Sequence, residues 1–284
     1  MEKYSRRDFL KKAAIYAGGA AVLTIPGCGI GPRYLILDSG HGGNETGTVF
    51  AGHQLSKIPG LSGIIKNGIG NTVKAWAEDE VAYDVLCRVY NNDGGNDGFG
   101  VVPIIKDWST GYNAINNLKT SRANKNEYIV YKNEKLHRWK MGDKEYNIPK
   151  RVEVINKLYH RMINDGVPRD NIYFISIHAD EAPSGSEGAF AIYPIVRSDY
   201  GGYTANRKSK KLKNRLRDSF RSHRLKTKAG FGYEENHKGL FRSDLEQKVI
   251  LEIGNMSSMD DVERLNDSAY RDKIAKAIID AVKY

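Results

Sequence analysis

The chain has 284 residues, 40% of them apolar, and a formal net charge of +10. This length can bury one large core or two small ones, and the apolar share is ordinary for a globular protein. The basic balance favours acidic partners but does not bear on the fold. There are two cysteines, Cys28 and Cys87. They exclude a disulfide framework once Cys28 is modified or removed.

Residues 1–28 have the order of features found in export signals. Arg6 and Arg7 precede an apolar stretch of about 14 residues, which is too short to cross a bilayer. The paired arginines resemble a twin-arginine signal, and the sequence Ile-Pro-Gly-Cys ending at Cys28 resembles a lipoprotein cleavage box, with Pro26 where a small residue is usual. We therefore predict export to the periplasm or cell envelope, with a lipid on Cys28 attaching the protein to the membrane. The alternative is a frayed N-terminal helix of a cytoplasmic protein.

Two apolar runs lead to a histidine, and a third contains a carboxylate. Residues 34–37 predict a buried strand that is followed by His41 among glycines. Residues 173–177 predict a second strand, which ends at His178, and a third run contains Glu252. In open α/β sheets, ligands bind at the carboxyl ends of the strands. These positions predict a metal site with a general base.

Residues 73–90 predict a helix, because valines recur on it at four-residue spacing. Glu78 lies on its buried face, near its start, where the helix dipole also favours an acid for structural reasons alone. Glu80 is the other carboxylate that can be weighed as a ligand, and Glu78 faces the core better.

Two polar segments interrupt the regular pattern. Residues 44–72 predict a long loop, with room for a short hairpin, that either covers the site or is a tolerated surface insertion. Residues 107–147 predict a second insertion, in a position to hold substrate. No internal repeat separates the rest, so residues 29–284 are predicted to form one catalytic domain.

The remaining elements follow from periodicity and turn residues. The helix predicted over 206–228 is strongly basic and carries Asp218 as its lone acid. We interpret its charged side as a solvated surface, in preference to a binding patch for acidic polymer. The elements are a strand over 101–105 with an edge-type Pro103, a helix over 149–165 that starts at Pro149, a strand over 188–193, the basic helix over 206–228, and a last helix over 268–282.

A catalytic zinc needs three nitrogen or oxygen ligands and one open position. His41, Glu78 and His178 offer that set, and only folding can bring them together. Glu252 sits in an apolar run, where an ionised carboxylate is unfavourable without a partner. A nearby zinc supplies one and gives Glu252 a task as general base. The alternative is a buried salt bridge between Glu252 and an arginine.

At these residues the chain resembles the zinc-dependent N-acetylmuramoyl-L-alanine amidases, which cut peptidoglycan. The matching segments follow one another in the family's order and span nearly the whole of the predicted exported part. They are LDSGHGG at 37–43, EDEVAY at 78–83, FISIHAD at 174–180 and LEIGNMSS at 251–258.

The resemblance implies a twisted, mostly parallel α/β sheet flanked by helices, and one zinc per chain. It implies hydrolysis of the amide between muramic acid and L-alanine, with peptidoglycan as partner and no nucleic acid. Arg151 matches a family arginine and Asp180 stands where asparagine is more usual, so both are predicted to contact substrate. Two alternatives stay open: a wall-binding module without turnover, and a zinc hydrolase of another amide or peptide.

Overall fold

The computed structural model describes residues 31–41, 49–50, 64–66, 72–74, 76–93, 98–107, 110–114, 127–129, 144–180, 187–197, 203–235 and 238–284. The predicted export signal, with Cys28, and most of both predicted insertions lie outside these residues. No helix in the described ranges is both long and apolar enough to span a membrane.

The strands of the described part are, in chain order, β1 (Arg33–Asp38), β2 (Val49–Phe50), β3 (Ile64–Lys66), β4 (Thr72–Lys74), β5 (Trp76–Ala77), β6 (Phe99–Pro103), β7 (Ile105–Asp107), β8 (Glu127–Ile129), β9 (Ile172–Asp180), β10 (Phe190–Arg197), β11 (Tyr203–Ala205), β12 (Tyr233–Glu235) and β13 (Lys248–Asn255). The α-helices are α1 (Glu78–Asn91), α2 (Lys144–Asn164), α3 (Arg207–Ser222), α4 (Met259–Asn266) and α5 (Ser268–Lys283).

A seven-stranded sheet lies at the centre, in the order β11-β10-β13-β9-β1-β6, with β12 beside β10. β6, β1, β9 and β13 run parallel, whereas β10 runs antiparallel to β13 and β11. All eight residues of β13 are buried, as expected of a strand covered on both faces. The predicted α/β sheet, mostly parallel and flanked by helices, is confirmed. Pro103 ends the edge strand β6, where its missing N–H leaves no gap in the ladder.

Helices cover both faces of the sheet. Side chains alternate along β9, so Tyr173 and Ser176 point to opposite faces. The Tyr173 hydroxyl accepts a hydrogen bond from Arg215 of α3. Ser176 bonds Asp38, which also contacts Arg151 of α2. α2 and α3 therefore lie on opposite faces, and α5 packs against both α1 and α3.

The helix predicted over 73–90 begins instead at Glu78. The residues before it are short strands: β4 pairs antiparallel with β3, and β5 with β2. Val73 and Trp76 are strand-forming residues, so local propensity overrode the helical spacing. The β3–β4 pair corresponds to the short hairpin that the sequence analysis allowed within residues 44–72.

Other boundaries also differ from the predictions. α2 begins at Lys144, so Pro149 lies inside the helix and not at its start. The strand predicted over 188–193 is Phe190–Arg197. The basic helix ends at Ser222, because the backbone turns through a left-handed conformation at Arg224. The short helix α4 was not predicted.

A buried ion pair fixes α1 against α5. The side chains of Asp84 and Arg271 are both fully buried, and Arg271 Nε donates to Asp84 Oδ2. Arg271 also donates to the carbonyls of Leu265 and Asn266 at the end of α4. Arg88 of α1 donates to the same Asp84 oxygen. Each charge is satisfied by a partner, which is the condition for tolerating it inside a core.

Replacing Arg271 with Met should lower the free energy of unfolding by about 3–5 kcal/mol, because it leaves Asp84 with less compensation and two carbonyls without a donor. Urea denaturation measures this. Lys273→Met, on the exposed side of the same helix, is the matched control and should change stability by less than about 0.5 kcal/mol. A loss below about 1 kcal/mol for Arg271→Met would contradict the assignment.

Candidate metal centre

Three elements place the predicted ligands at one edge of the sheet. β1 and β9 are parallel neighbours, so both end at the same edge. His41 follows the end of β1, and His178 lies two residues before the end of β9. Glu78 is the first residue of α1, which packs on β9. The parallel pairing thus brings together residues that lie far apart in sequence.

The two imidazoles converge on one carboxylate oxygen. Glu78 Oε1 lies 3.3 Å from His41 Nε2 and 3.0 Å from His178 Nδ1. The same oxygen accepts a hydrogen bond of 3.0 Å from the backbone N–H of Ala179. The two rings meet edge to face, with their centroids 4.8 Å apart.

This donor set fits a metal ion. One ligand atom from each residue lies within 4.8 Å of the others. Ligand atoms around a tetrahedral zinc stand roughly 3.3–3.6 Å apart, close to the separations of Glu78 from the two histidines. The site can therefore hold a metal, and its two nitrogens and one oxygen are ligands that zinc accepts.

The electrostatics of the cluster also favour a metal. Burial raises the pKa of Glu78, but the hydrogen bonds to His178 and His41 outweigh it and hold that pKa below its ordinary value. Burial lowers the pKa of His178. Both shifts favour a charged carboxylate and a neutral imidazole, which are the forms that bind metals.

Gly40 lets the His41 loop lie directly against His178. Its φ is +67°, and a Cβ there would lie 2.6 Å from the imidazole atoms of His178 and from the carbonyl oxygen of Ile177. Any side chain at position 40 must therefore displace His178 or the loop. This is the physical reason for glycine before His41.

A buried ion pair next to the His41 loop holds that loop in place. Arg151 Nη1 donates to both carboxylate oxygens of Asp38, at 2.8 and 3.0 Å, and to the carbonyl of Gly40. Ser176 Oγ donates to Asp38 Oδ2 at 2.7 Å. Arg151 is 2% exposed, so these contacts give it a task in holding the loop that carries His41. That it also contacts substrate stays a prediction.

Glu252 lies beside the histidine cluster. On β13 it is paired with His178 of β9, and on its other side with Phe190 of β10. Directly paired residues point to the same face, so the three side chains form one row across the sheet. Glu252 is 7% exposed. The structure thus places the predicted base next to the predicted metal ligands.

The other candidates lie around this row. Glu80 is buried but does not belong to the cluster of possible ligands, which contains Glu78. Asp180 pairs through its backbone with Asn255, and its side chain lies outside the described part.

Asp261 is a supporting residue whose role was not predicted. Its Oδ2 accepts hydrogen bonds from the backbone N–H of Gly188, at 2.7 Å, and of Asn255, at 2.9 Å. It thereby ties the residues before β10 to the end of β13, on both sides of Glu252. A sequence signal existed: Ser258 caps α4 and Asp261 follows three residues later, the pattern of a capping box.

Gly40→Ala should weaken zinc binding, because the added methyl group pushes His178 away from Glu78. Gly98→Ala is the matched control: Gly98 also has a φ of +67°, but the nearest atom to a Cβ there is 4.0 Å away. Isothermal titration with zinc should show at least a tenfold loss for Gly40→Ala and little change for Gly98→Ala. Equal affinities in the two variants would mean that backbone strain, and not the contact with His178, explains the glycine.

Comparisons with known proteins add to this geometry. A family model described as N-acetylmuramoyl-L-alanine amidase matches residues 116–284, more than half of the chain. The matched range contains His178 and Glu252 and begins after His41 and Glu78. No curated protein matches the chain.

Solved structures share the fold at low sequence identity. The CwlD amidase from Clostridioides difficile, solved in complex with the GerS lipoprotein, is 21% identical, with a TM-score of 0.53 over 88% of this chain and 96% of that one. The amidase Ami1 from Mycobacterium smegmatis is 17% identical, with a TM-score of 0.55 over 90% and 97%.

Proposed function

We propose, since the chain belongs to the N-acetylmuramoyl-L-alanine amidase family, that it hydrolyses the amide between N-acetylmuramic acid and L-alanine in peptidoglycan. One zinc ion per chain is held by His41, Glu78 and His178. The observation that carries the proposal is the convergence of both imidazoles on Glu78 Oε1, with Glu252 paired beside His178 on the neighbouring strand.

A zinc ion held by His41, Glu78 and His178 would supply polarisation of the scissile carbonyl and a lowered pKa of the attacking water. Glu252 accepts a proton as the water oxygen adds to the carbonyl carbon. When the carbon–nitrogen bond breaks, Glu252 delivers that proton to the nitrogen of L-alanine. The products are the free lactyl carboxylate of the sugar and a peptide with a free amino terminus. Arg151 and Asp38 keep the His41 loop in place during these steps.

A surface beyond Glu252 suits the substrate. Phe190 lies next to Glu252, and the ring of Tyr233 stacks on it with centroids 5.8 Å apart. Lys228 Nζ lies 4.2 Å from the centroid of the Phe190 ring. Tyr233 is 47% exposed, so it offers an aromatic face to a sugar ring, and the ammonium of Lys228 can pair with a carboxylate of the stem peptide.

Purified protein should release stem peptides from peptidoglycan, with a new amino terminus at L-alanine and no release after chelation. Mass spectrometry of the products measures this. Glu252→Gln keeps the shape of the side chain but cannot accept the proton, so hydrolysis should fall by roughly 10²–10⁴-fold while zinc content and peptidoglycan binding stay unchanged. Glu263→Gln, the same change at an exposed position of α4, is the control.

Each contrary result has a distinct meaning. Loss of zinc in Glu252→Gln would make Glu252 a ligand and not the base. Binding of peptidoglycan without hydrolysis by the wild type would make the protein a wall-binding module. Hydrolysis of other amides alone would leave a zinc hydrolase with a different substrate.

We also propose that the chain is exported and attached to the membrane through Cys28. The support is the order of Arg6 and Arg7, the apolar stretch and the cleavage box. Cell fractionation should find the wild type with the membrane and Cys28→Ala released into the soluble envelope fraction. A wild type that is soluble in the cytoplasm contradicts both parts, whereas a membrane-bound Cys28→Ala contradicts lipidation alone.

A further inference from the structure

A basic cleft lies at the edge of the sheet opposite the candidate metal centre. It is formed where β1 and β9 begin, and it has a volume of about 540 Å³. Its lining includes Arg33 at the start of β1, Tyr173 of β9, and Lys211 and Arg215 of α3. Neither the proposed mechanism nor the family match gives these cations a role.

Three cations line the cleft: Arg33, Lys211 and Arg215. Among the described residues, no carboxylate lies within ion-pair distance of Arg33, Lys211 or Arg215. Asp170 also lines the cleft, but its Oδ1 is 2.7 Å from Lys208 Nζ. Like charges held together repel one another, so the cleft gains from binding an anion.

The two guanidinium groups have bonding capacity left over. Arg33 and Arg215 both donate to the carbonyl of Val282, at 3.3 and 2.9 Å, and Arg215 also donates to the Tyr173 hydroxyl. A guanidinium has five N–H donors, so each of these arginines keeps N–H groups for an anion, and phosphate oxygens are the acceptors that guanidinium groups match best.

The position of the cleft along the chain indicates where such a phosphate would come from. Gly31 lines the cleft and lies three residues after Cys28. Three extended residues span at most about 11 Å. A lipid on Cys28 would therefore hold the cleft within about one Debye length of the membrane surface.

We propose that this cleft binds the phosphate of anionic phospholipid headgroups and seats the protein on the membrane by its basic edge. The membrane as source rests on the envelope location proposed above; the anion site itself rests only on the cleft. Because β1 runs from this edge to the metal edge, the candidate metal centre stands about 17 Å or more farther from the lipid. In the membrane-bound protein, the proposed catalytic residues therefore face away from the lipid.

Vesicle binding of the full chain tests this, with Cys28→Ser in every variant so that no acyl chain contributes. Vesicles contain neutral phosphatidylcholine alone, or with about a quarter phosphatidylglycerol. The cleft variant is Arg33→Gln/Arg215→Gln. The control, Lys210→Gln/Arg221→Gln, removes the same charge from exposed positions of α3 outside the cleft. The apolar N-terminal stretch is common to all variants.

Binding to the anionic vesicles should fall about twenty-five-fold in the cleft variant, since each of its two charges near an anionic surface contributes about fivefold. The control should lose clearly less, and neutral vesicles should not distinguish the variants. Equal losses in cleft and control variants would overturn the proposal, because they indicate a diffuse charge effect. Lys211→Glu changes one exposed side chain without loss of a hydrogen bond, and it should weaken binding even if the double variant folds poorly.

Two further probes separate the sources of the phosphate. Inorganic phosphate binding that depends on the cleft, together with vesicle binding that does not, would make this a site for a free anion. A larger loss by the cleft variant on soluble polyphosphate than on vesicles would assign it to an anionic polymer. Peptidoglycan hydrolysis should be unchanged in the cleft variant, so the outcome is independent of whether the proposed amidase reaction is correct.

Discussion

The carboxylate of Glu78 is the contact on which the candidate site depends. One of its oxygens lies within 3.3 Å of a nitrogen of each imidazole and accepts a hydrogen bond from a backbone N–H of β9. A buried carboxylate in this position needs its partners close, and its oxygen gives the two imidazoles a common partner. The three candidate ligands therefore form one unit.

The rest of the fold keeps that unit in place from two directions. Glu78 starts α1, and Asp84, about 9 Å along the helix, is fixed by the buried Arg271. On the other face of the sheet, Arg151 joins α2 to Asp38 and to the loop before His41. Both anchors are buried charge pairs, which are directional in a way that apolar contacts are not. Apolar packing forms the core, and these pairs set the position of the ligands within it.

Much of this arrangement could be predicted from the sequence. Apolar runs ending at His41 and His178, and the carboxylate inside the third run, were enough to predict the sheet and to place three side chains at one edge. The fold class and the family are confirmed. The helical periodicity also indicated that Glu78 faces the core, because the spacing shows which nearby residues lie on the same side of the helix.

The parts that were missed depend on contacts between distant residues or on competing local preferences. Arg151 and Asp38 are 113 positions apart, and nothing near either one shows that they pair. The start of α1 was placed too early because Val73 fits both a helix and a strand, and pairing with β3 decides between them. Pro149 suggested a helix start, although α2 tolerates a proline inside.

The parallel sheet also separates two sets of connections, one at each of its ends. Residues 42–77, 108–143 and 181–189 each connect elements that end and begin at the metal edge, whereas residues 92–98 and 165–171 connect elements at the other edge. Insertions or deletions in the three long segments can remodel access to the reacting groups without shifting a strand register. Substrate recognition can then change through these segments while the residues that position His41, Glu78 and His178 keep their places.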